Sequence, residues 1–274
     1  MKLEDSSMKK FLLGIMQGRL SDGPDNNDLD WFPIENWSEE FRIAKKLKLK
    51  TIELVVDRSL DKNNPILSKE GLSRISSEFS KNNLEPWSSC FNFIIDKSLN
   101  SKNCLNTCKR LIKDLSKLKI KKIILPLFGE SNLDDSNITL KIIELSKLAK
   151  TLNIKILIES NKKGFIIKEK LKQINASNIG VVYDVGNAGY EKLEMEEDFK
   201  LIGDFIEHIH IKDKDKEGKN VLLGEGIVDF DKVFKIIDNI NYNGYFILET
   251  SKGVSSLERA KQNISFLNKY NFIS

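Results

Sequence analysis

Four apolar runs in the second half of the chain each end in a residue that can hold a cation. Ile-Leu-Ile closes on Glu159, Val-Val-Tyr on Asp184, His-Ile on His210 and Phe-Ile-Leu on Glu249. A charged side chain at the end of a buried strand is costly unless something pairs with it. Three carboxylates and one imidazole at successive strand ends therefore suggest one shared divalent ion. Three hard oxygens and a nitrogen suit Mn²⁺ or Mg²⁺, with Co²⁺ close behind and Zn²⁺ a further candidate, whereas closed structural zinc sites favour thiolates and more histidines. Taken singly, each acid has a plainer reading as a helix cap or a surface ion pair. It is the series of four that carries the metal reading.

Positioning such a set needs strands whose ends converge. Eight short β-rich runs alternate with amphipathic helical segments: Phe11–Met16, Thr51–Val56, Pro86–Phe91, Lys122–Phe128, Ile154–Glu159, Ile179–Asp184, Ile206–Ile211 and Tyr245–Glu249. Helices fit a segment opening near Asn36, then Ser68–Asn82, Asn103–Leu118, Asn137–Leu152, Gly164–Asn175 and Met195–Asp204. A further helix follows the N-cap candidate Asp229, and the last opens on a capping box from Ser255 to Glu258. Eight right-handed β-then-α units close into a (β/α)8 barrel. Neither a GxGxxG turn after the first strand nor a Walker loop supports an open nucleotide-binding sheet instead. The expectation is an α/β (β/α)8 TIM barrel, a single domain over residues 1–274, with the metal site at the C-terminal ends of strands five to eight. The long connections Ser21–Glu35, Asp57–Leu67 and Lys212–Val228 follow strand ends and so belong on that face.

Within this frame His208 and His210, the only two histidines, lie two apart on one strand and share a face. His210 is nearer the tip and is the ligand candidate, while His208 is expected deeper as a hydrogen-bonded partner. Glu53, in Ile-Glu-Leu-Val-Val, points inward as part of a polar network. Gln17 and Arg19 follow the first strand and are substrate-contact candidates.

Composition narrows the field. Forty-four Lys and Arg against forty Asp and Glu leave a formal charge of +4, spread along the chain among acids. That mixture reads as a solvated surface with no nucleic-acid stripe. No apolar run reaches the length of a membrane span, and no signal peptide is expected. Cys90, Cys104 and Cys108 contain no CxxC pair and read as reduced thiols of a cytoplasmic protein.

The segments GIMQGRLS, LIES, YDVGNA, HIHIKD, LGEG and GYFILET, in this order, resemble the sugar-phosphate isomerase/epimerase superfamily of xylose-isomerase-like barrels. The resemblance spans essentially the whole chain and is strongest from Ile154 to Thr250. It implies a metal held by Glu159, Asp184, His210 and Glu249. It also implies a ketose substrate, free or phosphorylated, that is enolised by Glu159 and Glu249 acting as base and acid. Dimers or tetramers are common in the group. Three positions depart from the ketose 3-epimerase pattern. Asn187 stands where those enzymes carry a histidine, only Lys212, Lys214 and Lys216 stand where they carry an arginine, and Asn161-Lys162-Lys163-Gly164 lacks a further glutamate. Asn187 and Lys212 are accordingly substrate-contact candidates, with Lys212 suited to an anionic group. A lyase of the inosose-dehydratase type shares the enolisation step. An apurinic-site endonuclease of the same barrel needs many more histidines, and a non-catalytic carbohydrate-binding barrel need not keep both glutamates.

Overall fold

The computed structural model describes residues 11–23, 31–240, 242–270 and 272. The strands are β1 (Leu12–Met16), β2 (Thr51–Val56), β3 (Ser88–Phe91), β4 (Lys122–Pro126), β5 (Lys155–Glu159), β6 (Ile179–Asp184) and β7 (Ile206–Ile211), a small hairpin of β8 (Asp213–Lys214) and β9 (Asn220–Val221), and β10 (Tyr245–Leu248). The hairpin stands apart. The other eight strands are all parallel and close in the order β1-β10-β7-β6-β5-β4-β3-β2. Closure is made by Leu12 through Ile15 of β1 pairing with Tyr245 through Leu248 of β10.

Around the barrel lie α1 (Glu39–Lys46), α2 (Lys69–Asn82), α3 (Lys102–Lys117), α4 (Ser136–Thr151), α5 (Gly164–Ile174), α6 (Val185–Tyr190), α7 (Met195–Ile202), α8 (Phe230–Asp238) and α9 (Ser256–Leu267). The expected elements are present with trimmed ends. Pro86, which has no N–H to give a ladder, lies before β3, and Glu249 lies just past β10. The first helix starts at Glu39, after a turn in which Glu39 N donates to Asn36 O. Part of the connection expected over Ser21–Glu35 lies outside the described residues.

Strand alternation sorts side chains into two populations. Ile156, Ile158, Tyr183, Ile209 and Ile211 face the helices in the main core. Met16, Val55, Cys90, Ile124, Leu157, Val182, Tyr245 and Ile247 fill the barrel interior. Fully burying a side chain of this size stabilises the fold by roughly 1.5–3 kcal/mol. The interior layer is thus a rigid floor beneath the polar residues at the strand ends.

Two helix starts show how the loops at the C-terminal ends of the strands are tied. Asp229 caps α8 as expected, its carboxylate accepting from Lys232 N. The capping box at α9 does not form: the Ser255 side chain makes no cap bond, and Glu258 pairs with Lys261 instead. A remote residue takes over. Asp22 Oδ1 accepts from Ser256 N (2.8 Å) and the Ser256 hydroxyl donates to Ser21 O (2.8 Å), so the loop after β1 is fastened to the helix after β10.

Candidate metal and catalytic site

The register brings the four strand-end residues together. Asp184 of β6 pairs directly with His210 of β7, and His210 with Ile247 of β10, two residues before Glu249. Glu159 ends β5, the next strand round. One donor atom from each of Glu159, Asp184, His210 and Glu249 lies within 4.8 Å of the others. All four side chains are buried, Glu249 being the most exposed at 9%.

The electrostatics of this pocket call for positive charge. Burial raises the carboxyls of Glu159 and Asp184, and repulsion from Glu249 adds to it. Burial acts the same way on Glu249, but Lys212, His210 and Arg19 outweigh it and hold that carboxyl well below the usual range. Burial opposes charge on His210, yet Glu53, Glu249 and Glu159 together raise the imidazole well above its ordinary value. His210 Nδ1 lies 3.0 Å from Glu249 Oε2 and 3.6 Å from Glu159 Oε1 and is aligned for a hydrogen bond with neither. An unaligned imidazole nitrogen facing carboxylate oxygens is the arrangement that a cation joins. The donor set therefore fits a divalent ion.

Lys212 enters the same pocket. Alternation carries its side chain inward after His208 and His210, and its ammonium sits 2.6 Å from Asp184 Oδ2 and 3.1 Å from Glu249 Oε2. It is 4% exposed, while Lys216 and Lys219 of the same charged run are solvated. Gly186 makes room for it: a Cβ there would meet Lys212 Cγ at 2.5 Å. Asp184 serves two ends at once, since its Oδ1 caps α6 by accepting from Asn187 N (2.8 Å). Both readings of that acid, cap and cluster member, hold. Asn187 contributes its backbone to the cap and is half-buried.

Gln17 and Arg19 are both buried. Val55 N donates to Gln17 Oε1 (3.4 Å), whereas Gln17 Nε2 is buried with no hydrogen-bond partner. Arg19 Nη2 lies 3.4 Å from Met16 Sδ, and its charge reaches Glu249. What fixes this loop is Glu40 on α1, which the sequence reading passed over. Its carboxylate accepts from Gly18 N (2.9 Å) and Leu20 N (2.8 Å), and burial still pushes it up to about 7. Gly18 has φ +88°, with Trp31 O only 2.6 Å from where a Cβ would sit. A signal was present: Glu40 falls on the apolar stripe of Trp37, Phe41 and Ala44.

Asp213 is a second residue that the reading missed. Fully buried, it accepts from Gly224 N (2.9 Å), Gly226 N (2.9 Å), Val228 N (3.1 Å) and Lys214 N (2.9 Å). It thereby ties the loop containing LGEG back to the chain just after β7. Beneath the site Glu53 points inward as expected, and His208 lies beside it, although neither ring nitrogen of His208 is aligned for a hydrogen bond. Ser88 Oγ donates to Glu53 Oε2 (2.6 Å), His208 Nε2 is 2.9 Å from that oxygen, and His210 Nε2 is 2.9 Å from Glu53 Oε1.

Among the described residues no helix is long and apolar enough to cross a membrane. Comparison with known proteins agrees with the barrel. An inosose dehydratase of Clostridium perfringens is 26% identical over 133 residues, 40% of this chain and 44% of that protein. An uncharacterised protein of Methanocaldococcus jannaschii is 28% identical over 140 residues, 46% and 48% of the two chains. The matches thus span about half the length of these curated relatives. Among solved structures, the 3-keto-D-glucoside 4-epimerase of E. coli superposes with a TM-score of 0.72 at 15% identity, covering 95% of this chain and 100% of its own. D-Psicose 3-epimerase of Clostridium cellulolyticum H10, solved with D-tagatose, gives 0.72 at 14% identity over 96% and 100%. The IOLI protein, solved with a zinc atom, gives 0.73 at 16% over 95% and 98%. The model of the xylose isomerase-like TIM barrel family matches residues 41–270, and the chain belongs to that family.

Proposed function

We propose that this barrel is a divalent-metal-dependent epimerase or isomerase of a ketose or ketose phosphate, acting by proton abstraction next to the carbonyl. The observation that carries the reading is the buried convergence of Glu159, Asp184, His210 and Glu249 at the strand ends. These four would hold one Mn²⁺ or Mg²⁺, with Co²⁺ or Zn²⁺ as alternatives. Such an ion, when bound, supplies electrostatic stabilisation for negative charge developing on substrate oxygens.

The chain's own residues do the rest. Glu159 ends β5 and Glu249 directly follows β10, with β6 and β7 between those strands, so they approach a bound sugar from different sides. One takes the proton beside the carbonyl, and the other returns a proton to the opposite face. Acid–base assistance of this kind is worth about 10²–10⁴-fold. Gln17, with its buried unpaired Nε2, Arg19 and Asn187 line the substrate side, and Lys212 adds positive charge beside the reacting oxygens. Three buried free thiols suit the reducing cytoplasm.

A dehydratase of the inosose type is the second reading, favoured by the partial match to such an enzyme. It shares proton abstraction and differs in expelling hydroxide. The test is solvent exchange. Protein stripped of metal and reloaded with Mn²⁺, Mg²⁺, Co²⁺ or Zn²⁺ is incubated with ketoses, ketose phosphates and inososes in D₂O. Metal-dependent deuterium incorporation next to the carbonyl, lost in Glu159→Gln and Glu249→Gln, is expected, and the product separates epimerase from dehydratase. Failure of any metal to bind would remove the reading.

A further inference from the structure

One buried carboxylate in the barrel interior has no part in the proton transfer proposed above, yet its geometry bears directly on the site. Glu53 rises from β2 and spans the lumen to β7, which is not a neighbour of β2 in the sheet. Its carboxylate divides between the only two imidazoles of the chain. Oε1 is 2.9 Å from His210 Nε2 in a well-formed hydrogen bond, and Oε2 is 2.9 Å from His208 Nε2. Ser88 Oγ donates to Oε2 as well, at 2.6 Å. All four side chains are buried, with 0% exposure.

We infer that Glu53 is a positioning residue that commits His210 to one tautomer and so sets the metal affinity of the site. An ionised carboxylate only accepts. When the ring gives up a proton to bind a metal, as a ligating histidine must, the nitrogen facing Glu53 is therefore the one that keeps its proton, and it is Nδ1, toward Glu249 and Glu159, that offers a lone pair. A histidine that donates its second ring N–H to a carboxylate is held in orientation and binds a metal more strongly, and loss of such a partner costs 10–100-fold in affinity. The Ser88 hydroxyl holds the other oxygen of Glu53 in turn. Glu53, His208 and His210 also lie close enough to be a ligand group in their own right. However, the Ser88 hydroxyl already occupies one carboxylate oxygen, and His210 cannot face both ways with a bare nitrogen.

This inference rests on the metal reading proposed above, and its test separates the two. Two histidines make the imidazole ¹⁵N spectrum simple. In ¹⁵N-labelled protein loaded with Zn²⁺, with His208→Gln to assign the signals, His210 should carry its proton on Nε2 and show a metal-shifted Nδ1. Calorimetric titration with Zn²⁺ should give one ion per chain, with an affinity 10–100-fold weaker in Glu53→Gln and partly restored in Glu53→Asp. Ser88→Ala, which leaves Glu53 in place, should lose less. An affinity unchanged in a folded Glu53→Gln would overturn the inference and leave the metal site standing. So would a proton on Nδ1, or a second ion that disappears in His208→Gln. Absence of Zn²⁺ binding by the unaltered chain would overturn both.

Discussion

Lys212 is the residue on which the balance of charge in the site turns. Three buried carboxylates share the pocket, and its ammonium touches two of them. Removing one partner of a buried ion pair typically costs about 3–5 kcal/mol because the other charge is left uncompensated. Lys212→Met should therefore lower the thermal midpoint of the metal-free chain clearly, and added Mn²⁺ should raise the midpoint more in the variant than in the unaltered protein. Equal metal-induced shifts in the two proteins would mean that Lys212 and the ion do not draw on the same oxygens. The inward course of this side chain follows from its place two residues after His210, as His210 follows His208. The sequence offered Lys212 as a contact for an anionic group, and strand parity turns its ammonium onto the chain's own Asp184 and Glu249. The four strand-end residues Glu159, Asp184, His210 and Glu249 could be read as a group because they close four successive apolar runs. Glu40 escaped because a single acid on an amphipathic helix is common, although its position on the buried stripe was visible.

At the scale of elements, the strands and most helices followed from periodicity, whereas the ties between loops did not. The bond from Asp22 to the start of α9 joins residues 234 apart, and no local pattern announces it. The same is true of Asp213, whose four backbone donors lie on its own loop as far as Val228. Hydrogen bonds to a charged group are worth about 1.5–3 kcal/mol each, so Asp213 is the chief restraint on residues 213–228. Asp213→Ala should leave the circular dichroism of the barrel unchanged and make this segment the first site of limited proteolysis. Exchange activity should fall with it, because Asp213 directly follows Lys212, whose ammonium lies among the site carboxylates. A variant cut no faster than the unaltered chain within 213–228 would show that the loop is held by its packing instead.

For the molecule as a whole, the closed barrel and the inward course of Glu53 could be expected from eight alternating units, but the bonds that join Glu53 to Ser88 and, across the lumen, to His210 required the structure. Buried titratable groups make stability depend on pH in a direction that can be worked out. Burial pushes His208 down to about 4, against about 6.5 in an unfolded chain. Between those values the unfolded state binds a proton that the folded state refuses. The contribution is complete above about pH 6.5 and is lost as pH falls through 4. Glu53 extends the loss: burial would raise it, but His208 and His210 hold it at about 2, below the unfolded value of about 4.3. Glu40 has the opposite sign, since burial lifts it to about 7 and the folded state gains relative stability as pH falls from 7 toward 4.3. One pKa unit corresponds to about 1.4 kcal/mol. In metal-free protein, urea midpoints at pH 7, 5.5 and 4 should show the unaltered chain losing ground to His208→Gln as the pH falls, by roughly 3 kcal/mol in all. Against Glu40→Gln it should gain over the same range. A difference from His208→Gln that stays constant with pH would mean that His208 takes up its proton inside the barrel as readily as in the unfolded chain, so that burial does not hold the ring neutral.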